Sequence, residues 1–401
     1  MKGRFFAGLI ISIFILGTGC NVQKQPHLTA KKDLVKEIDN SIAQAGKQYK
    51  YFMQQIPADK FPRSLDKDGK LVTSGSGWWC SGFYPGTLLY LVEATNDQGL
   101  KTEALNRLKL LEKEQFNKST HDLGFMMFCS FGNANRLAPK PEYKQILINS
   151  ARSLASRFDE KVGCIRSWNS KPSDFLVIID NMMNLELLFW ATKETGDSSF
   201  YKIAVTHANT TIKNHFRPDY STYHMVNYNA KTGLPQKKHT VQGAADESAW
   251  ARGQGWGLYG YTVMYRETRD KKYLELANHI ADYILKHPNL PADKIPYWDF
   301  NAPGIPNALR DASAGSLIAS ALIELSGYNQ GKASKTYLDA AEVMLHSLCS
   351  DVYTAPYGTS QGFLLNHGVG NLPGKSEVDV PLTYADYYFV EAMLRYKNLK
   401  R

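Results

Sequence analysis

At 401 residues, 43% hydrophobic and 12% aromatic, the chain has enough apolar material for one large core or two ordinary ones, which excludes a disordered protein. A formal net charge of +9 suits a polyanionic partner, but the chain carries neither a basic run nor a nucleic-acid motif, so an acidic glycan fits better than DNA.

The first twenty residues read as an export signal. Lys2 and Arg4 precede the apolar run Phe5 to Leu16, and the small residues Gly17, Thr18 and Gly19 lead to Cys20. The run is too short for an ordinary transmembrane helix. A cysteine behind small residues resembles a bacterial lipoprotein cleavage site with Cys20 as the lipidated first residue, although Gly17 stands where leucine is usual, which leaves cleavage by the ordinary signal peptidase as the alternative. The expectation is an exported, periplasmic protein whose link to a membrane is a lipid on Cys20, followed by a polar tether over 21–31. Cys80, Cys129, Cys164 and Cys349 lie far apart without metal-ligand spacing and read as buried thiols, with one disulfide open to them in that compartment.

Helical periodicity, broken by Gly, Pro and Asn/Asp clusters, predicts about twelve segments. They lie near 32–54, 84–96, 100–117, 122–137, 142–158, 181–195, 198–215, 248–268, 271–287, 311–327, 334–348 and 383–398. Strand signals are few, around 163–168, 222–228 and 352–366. Amphipathic segments opening after similar punctuation, such as Gly196-Asp197-Ser198 and Asp270-Lys271-Lys272, alternate with segments apolar nearly all round, such as Trp250 to Tyr265 and Ala312 to Leu325. A helix apolar on every side has to be buried. Six hairpins of one amphipathic and one buried helix close most simply into a double ring, an all-α (α/α)6 barrel forming one domain over 32–401. An open helical solenoid is the alternative.

Acidic residues recur where the inner helices begin: Asp122, Asp180, Glu247, Asp311 and Asp386. In an alternating barrel these starts gather at one end, where the long loops 159–180, 216–247, 288–310 and 349–382 also collect, so a cleft is expected there. Within the apolar stretch Val177 to Leu188, Asp180 is either a helix N-cap or a carboxyl group whose pKa is raised by desolvation. Asp122 and Asp180, close together, would raise each other's pKa. The helix starts are aromatic, with Trp78-Trp79-Cys80-Ser81-Gly82 at one and Trp250-Ala251-Arg252-Gly253-Gln254-Gly255-Trp256 at another. Flat indoles suit the apolar faces of sugar rings as well as they suit a core. Arg252 among them calls for a carboxylate, from Glu247, from another acidic residue or from the substrate.

His121-Asp122-Leu123-Gly124-Phe125, Ile179-Asp180-Asn181-Met182-Met183-Asn184, Trp250-Ala251-Arg252-Gly253-Gln254-Gly255-Trp256 and Asp386-Tyr387-Tyr388-Phe389 together resemble unsaturated glucuronyl hydrolases, glycoside hydrolase family 88. The resemblance covers nearly everything after residue 30. It implies hydration of the C4=C5 double bond in the non-reducing-end uronate that polysaccharide lyases leave behind. Asp180 is then general acid and base and Asp122 the second essential acid. His121, His224 and Gln242 match positions that bind the uronate or the water, and Arg252 matches a substrate-binding arginine. Trp79, Trp250 and Trp256 match stacking surfaces. No metal or other cofactor is expected. Relatives that recognise sulfate do so through a Ser/Lys loop; here Gly370 and Pro373 stand in place of serines, and Lys375 is kept. A pectin-directed unsaturated rhamnogalacturonyl hydrolase, an inverting glycosidase and a non-catalytic glycan-binding lipoprotein are the other readings.

Overall fold

The computed structural model describes Met1 and residues 26–399. The export signal and Cys20 therefore lie outside the described residues. The expected tether is only partly so, because helix α1 (Pro26–Phe52) begins inside it. The helices that follow are α2 (Phe83–Thr95), α3 (Gln98–Leu111), α4 (Asn133–Leu137), α5 (Pro141–Ala155), α6 (Leu185–Thr195) and α7 (Ser198–His215). Beyond them come α8 (Ala251–Thr268), α9 (Lys271–Lys286), α10 (Ala312–Tyr328), α11 (Gly331–Leu348) and α12 (Thr383–Leu399). A π-helical segment, Gly124–Gly132, runs into α4, and a 3-10 segment, Ile179–Asn184, runs into α6.

The inner ring is α2, the π segment with α4, the 3-10 segment with α6, α8, α10 and α12. Each packs on the next, and α12 returns to α2. The remaining helices form the outer layer, as the (α/α)6 expectation requires. Composition explains the division. Helix α10 is buried almost throughout and built from Ala, Ser, Gly, Leu and Ile, which lets neighbouring helices approach on every side. Helix α9 buries only the stripe Leu276, Ala277, Ile280, Ala281 and Ile284 and turns its lysines outward.

The weak repeat also has a structural cause. Three inner helices end on a left-handed residue, Asn96 (φ 56°), Gly196 (φ 74°) and Arg269 (φ 59°). In each case the next residue is an aspartate, Asp97, Asp197 or Asp270, whose carboxylate accepts from backbone N–H groups of the outer helix that follows. A left-handed stop followed by an Asp N-cap turns the chain between layers with two residues.

Strands sit in the loops at the other end. Hairpins pair β1 (Phe61–Leu65) with β2 (Leu71–Ser74) and β3 (Phe158–Asp159) with β4 (Cys164–Ile165). A three-stranded antiparallel sheet has the order β5 (Asp174–Ile178), β6 (Met225–Asn229), β7 (Pro235–His239). A last hairpin joins β8 (Gly368–Asn371) to β9 (Ser376–Val380). The expected strand at 352–366 is absent: that stretch holds a single bridge, Thr354 to Leu365, and a 3-10 turn at Ser360–Gly362. Cys80, Cys129, Cys164 and Cys349 are free thiols, so the disulfide left open among them does not form.

Candidate active site

A cavity of about 270 Å³ opens at the loop-bearing end of the ring. Asp122 and Asp180 both line it, with Trp79, His121, Gln242 and Arg252. Two carboxylates meet there because their segments approach closely. The π segment begins directly after Asp122-Leu123, and a side chain on Gly124 would lie 2.5 Å from the Asn184 Cα of the 3-10 segment. The Asn184 amide oxygen accepts from the Phe125 N–H at 3.1 Å, fastening the two segments together. Asn181 is likewise structural, donating to the Ile165 carbonyl at 2.7 Å.

Asp180 does not cap its helix, since Ile178 occupies the N-cap position. Its side chain is 13% exposed, and its Oδ2 has no hydrogen-bond partner. Burial pushes its pKa up to about 7; the Arg252 guanidinium opposes the rise and the Asp122 carboxylate adds to it. The Trp256 indole N–H also opposes it, although the two groups stand outside normal hydrogen-bond geometry.

His224 lies on the far side of Asp180, with Nε2 3.9 Å from Asp180 Oδ2. Its Nδ1 faces the backbone N–H groups of Val241 at 3.0 Å and Gln242 at 3.4 Å. Nδ1 is therefore the acceptor and Nε2 carries the proton. Burial, with Arg252 second, lowers the His224 pKa to about 3, so the ring is a neutral donor aimed at Asp180. His121 is buried too, and burial lowers its pKa against the pull of Asp122. Its Nε2 lies 3.2 Å from Asp122 Oδ1, off the hydrogen-bonding direction, and Thr120 donates to Asp122 Oδ2 at 3.0 Å.

The Arg252 guanidinium is already committed. Nη1 donates to Asp311 at 2.9 Å, to Ser313 and to the Val369 carbonyl at 2.6 Å, and Nη2 donates to the Gly370 carbonyl at 2.7 Å. Gln242 donates to the same Gly370 oxygen at 3.1 Å. Both residues thus pin the β8–β9 hairpin over the cavity, and Asn371 at its bend joins the lining.

Several expectations need correction. Glu247 is not the partner of Arg252: its side chain is 76% exposed and it meets Arg217 and Tyr223 on the surface. Asp311 takes that place and also caps α10. Asp386 is a structural group, accepting from the Leu364 and Leu365 N–H groups and from the Tyr49 hydroxyl. Trp250 and Trp256 are 2% and 1% exposed and stand behind the cavity wall, where they cannot stack on a sugar. Trp250 packs against His224 at 4.7 Å and lies under Arg252; Trp256 packs on Phe125. The aromatic surface that faces the cavity is Trp79 with Trp78 and Trp168. Trp168 was missed, although a lone tryptophan in the long 159–180 loop was the available signal.

The family model of Glycosyl Hydrolase Family 88 matches residues 47–392. An unsaturated glucuronyl hydrolase of Formosa agariphila is 42% identical, the match covering 100% of this chain and 99% of the relative. An unsaturated chondroitin disaccharide hydrolase of Streptococcus pyogenes serotype M1 is 32% identical over 93% of this chain and 95% of its own. A crystal structure of an unsaturated glucuronyl hydrolase specific for heparin superposes with a TM-score of 0.89 at 46% identity, covering 91% of this chain and 98% of that one. With the paired carboxylates in a sugar-sized cavity of a closed helical double ring, these similarities establish that the chain belongs to glycoside hydrolase family 88.

Proposed function

We propose that the protein removes the non-reducing-end 4,5-unsaturated uronate from lyase-generated glycosaminoglycan oligosaccharides by hydrating the C4=C5 bond. The observation that carries this reading is Asp180, a carboxyl group held near pKa 7 beside a second carboxylate, so that it is available both as an acid and as a base close to neutrality. In the acid form it delivers its proton to C4. Water adds its oxygen to C5 and gives a proton back to the Asp180 carboxylate, leaving a hemiketal at C5. The C5–ring-oxygen bond then breaks to a ketone and C1 becomes a hemiacetal, which collapses to an aldehyde as the C1–O bond to the neighbouring sugar breaks and the hemiacetal proton passes to the departing oxygen. The enzyme ends in the protonation state in which it began.

The other residues support these steps from where they stand. His224 is buried and outside the cavity lining, with its Nε2 3.9 Å from Asp180 Oδ2, so it acts through Asp180 and not by touching the substrate. Gln242 reaches the cavity as a further polar contact, His121 forms part of its wall with both ring nitrogens buried, and Trp79 offers an indole face. Arg252, its Nη groups spent on the hairpin and Asp311, acts on the substrate through its charge and by restraining the Asp180 pKa. A glycosaminoglycan origin for the substrate is supported by the basic composition and by the heparin and chondroitin named for the relatives. Delivery to the periplasm, with a lipid on Cys20, is proposed from the first twenty residues; mass spectrometry of the mature N-terminus tests it.

The test follows the ultraviolet absorbance of the conjugated enol-ether carboxylate in lyase-made disaccharides from heparin, chondroitin and pectin. Absorbance should fall on a glycosaminoglycan disaccharide. Loss on the pectin product alone would move the protein to the rhamnogalacturonyl reading, and loss on none would end the hydration reading. Asp180→Asn should lower kcat by at least about a hundredfold while the disaccharide still binds in a calorimeter.

A further inference from the structure

The three-stranded sheet has one face against a small core, formed by Phe175, Val177, Val226 and Tyr228. Its other face is only partly covered and begins at the cavity. The antiparallel register sets Ile178, Met225 and His239 side by side in one row, and Leu176, Asn227 and Lys237 in the next. Alternate residues of a strand share a face, so both rows look the same way. Ile178 lines the cavity, so the rows lead outward from it in steps of about 7 Å, two residues of strand.

The chemistry along this path suits an anionic sugar. Leu176 is a half-buried apolar platform, and its carbonyl accepts from the N–H of Ser167 at 2.8 Å, the residue before Trp168 of the cavity. Asn227 is half-buried, its Oδ1 turned inward without a hydrogen-bond partner, and His239 Nδ1 is likewise buried and unpartnered. Lys237 keeps 62% of its side chain exposed, and its contact with Asp246 is a loose 3.6 Å. The third row brings Asp174 opposite Asn229, and its carboxylate makes a natural end to the path.

We propose that this face binds the sugars beyond the bond that is broken: the reducing-side continuation of the oligosaccharide runs from Trp168 over Leu176, with a carboxylate or sulfate received by Lys237 and a sugar oxygen accepting from the side-chain N–H of Asn227. The inference rests on the hydration reading above and adds to it a preference for chains longer than a disaccharide. Lys237 and Asn227 act on binding alone and touch no reacting atom.

The test compares a lyase-made disaccharide with the tetrasaccharide of the same polymer by loss of ultraviolet absorbance. In the unaltered protein KM should be lower for the tetrasaccharide. Lys237→Glu should raise the tetrasaccharide KM about fivefold, and Asn227→Ala should raise it too, with KM and kcat for the disaccharide unchanged. Equal KM values for the two lengths in the unaltered protein, or equal effects of Lys237→Glu on both, would overturn the path while leaving the activity intact. No turnover of the disaccharide by the unaltered protein would overturn the hydration reading and the path with it.

Discussion

Asp180 carries a conflict between chemistry and stability. Its folded pKa, near 7, lies above the ordinary aspartate value, so between those two values the folded state holds a proton that the unfolded chain has released. Folding is therefore favoured at low pH, and this contribution disappears as pH rises through about 7. Asp180→Asn removes the titration. The variant should melt a few degrees above the wild type at pH 8, and the gap should close toward pH 4, read by thermal denaturation across that range. The same proton governs the rate, since the acid form protonates C4, so kcat of the unaltered protein should decline as pH rises through about 7. Little of this residue-scale detail was legible beforehand. An aspartate inside Val177 to Leu188 announced a raised pKa, but it took the fold to show that Val241 N–H sets the His224 tautomer and that Asp311, 59 residues along the chain, neutralises Arg252.

At the scale of elements, the site depends on two contacts between segments that are far apart in sequence. The first is the approach of the π segment to the 3-10 segment across Gly124. A methyl group there would overlap Asn184, and since backbone cannot yield as a side-chain tip does, Gly124→Ala should cost about 1–3 kcal/mol. It should also lower kcat by more than its effect on KM, because the shift separates Asp122 from Asp180; steady-state kinetics and urea denaturation read the two effects. The second contact is the Arg252 clamp on the β8–β9 hairpin. Arg252→Met leaves Asp311 charged, buried and unpaired, at a cost of about 3–5 kcal/mol. Hydrogen exchange should locate the released protection at Val369 and Gly370. Helices were legible because an apolar stripe repeats over many residues, and nearly every limit fell within a few positions of the observed one. The hairpins were not. β1, β2, β7, β8 and β9 are short, polar or half-covered, and their pairing is decided by loops meeting at one end of the ring, so no local pattern marks them.

On the scale of the whole molecule, the double ring was readable from the alternation of wholly apolar and amphipathic helices, and the site end from where the long loops fall. What could not be read was how the ring shuts. Helix α12 lies against α2, and the Tyr49 hydroxyl of α1 donates to Asp386 of α12 across 337 positions of sequence. Gln48 of α1 reaches the Thr359 and Phe363 carbonyls in the same seam. A chain ending at residue 382 would lack α12 and leave the inner faces of α2 and α10 in water; it should be trapped as an aggregating species with a dye-binding apolar surface. The seam also has a consequence in time. Contacts this distant in sequence form late, after the entropy of closing a very long loop has been overcome. Both carboxylates and the hairpin strand β8 precede α12 in the chain, yet the inner ring that carries them closes only when α12 packs on α2 and α10. On refolding, activity should therefore return in one late step, when α12 closes on α1 and α2.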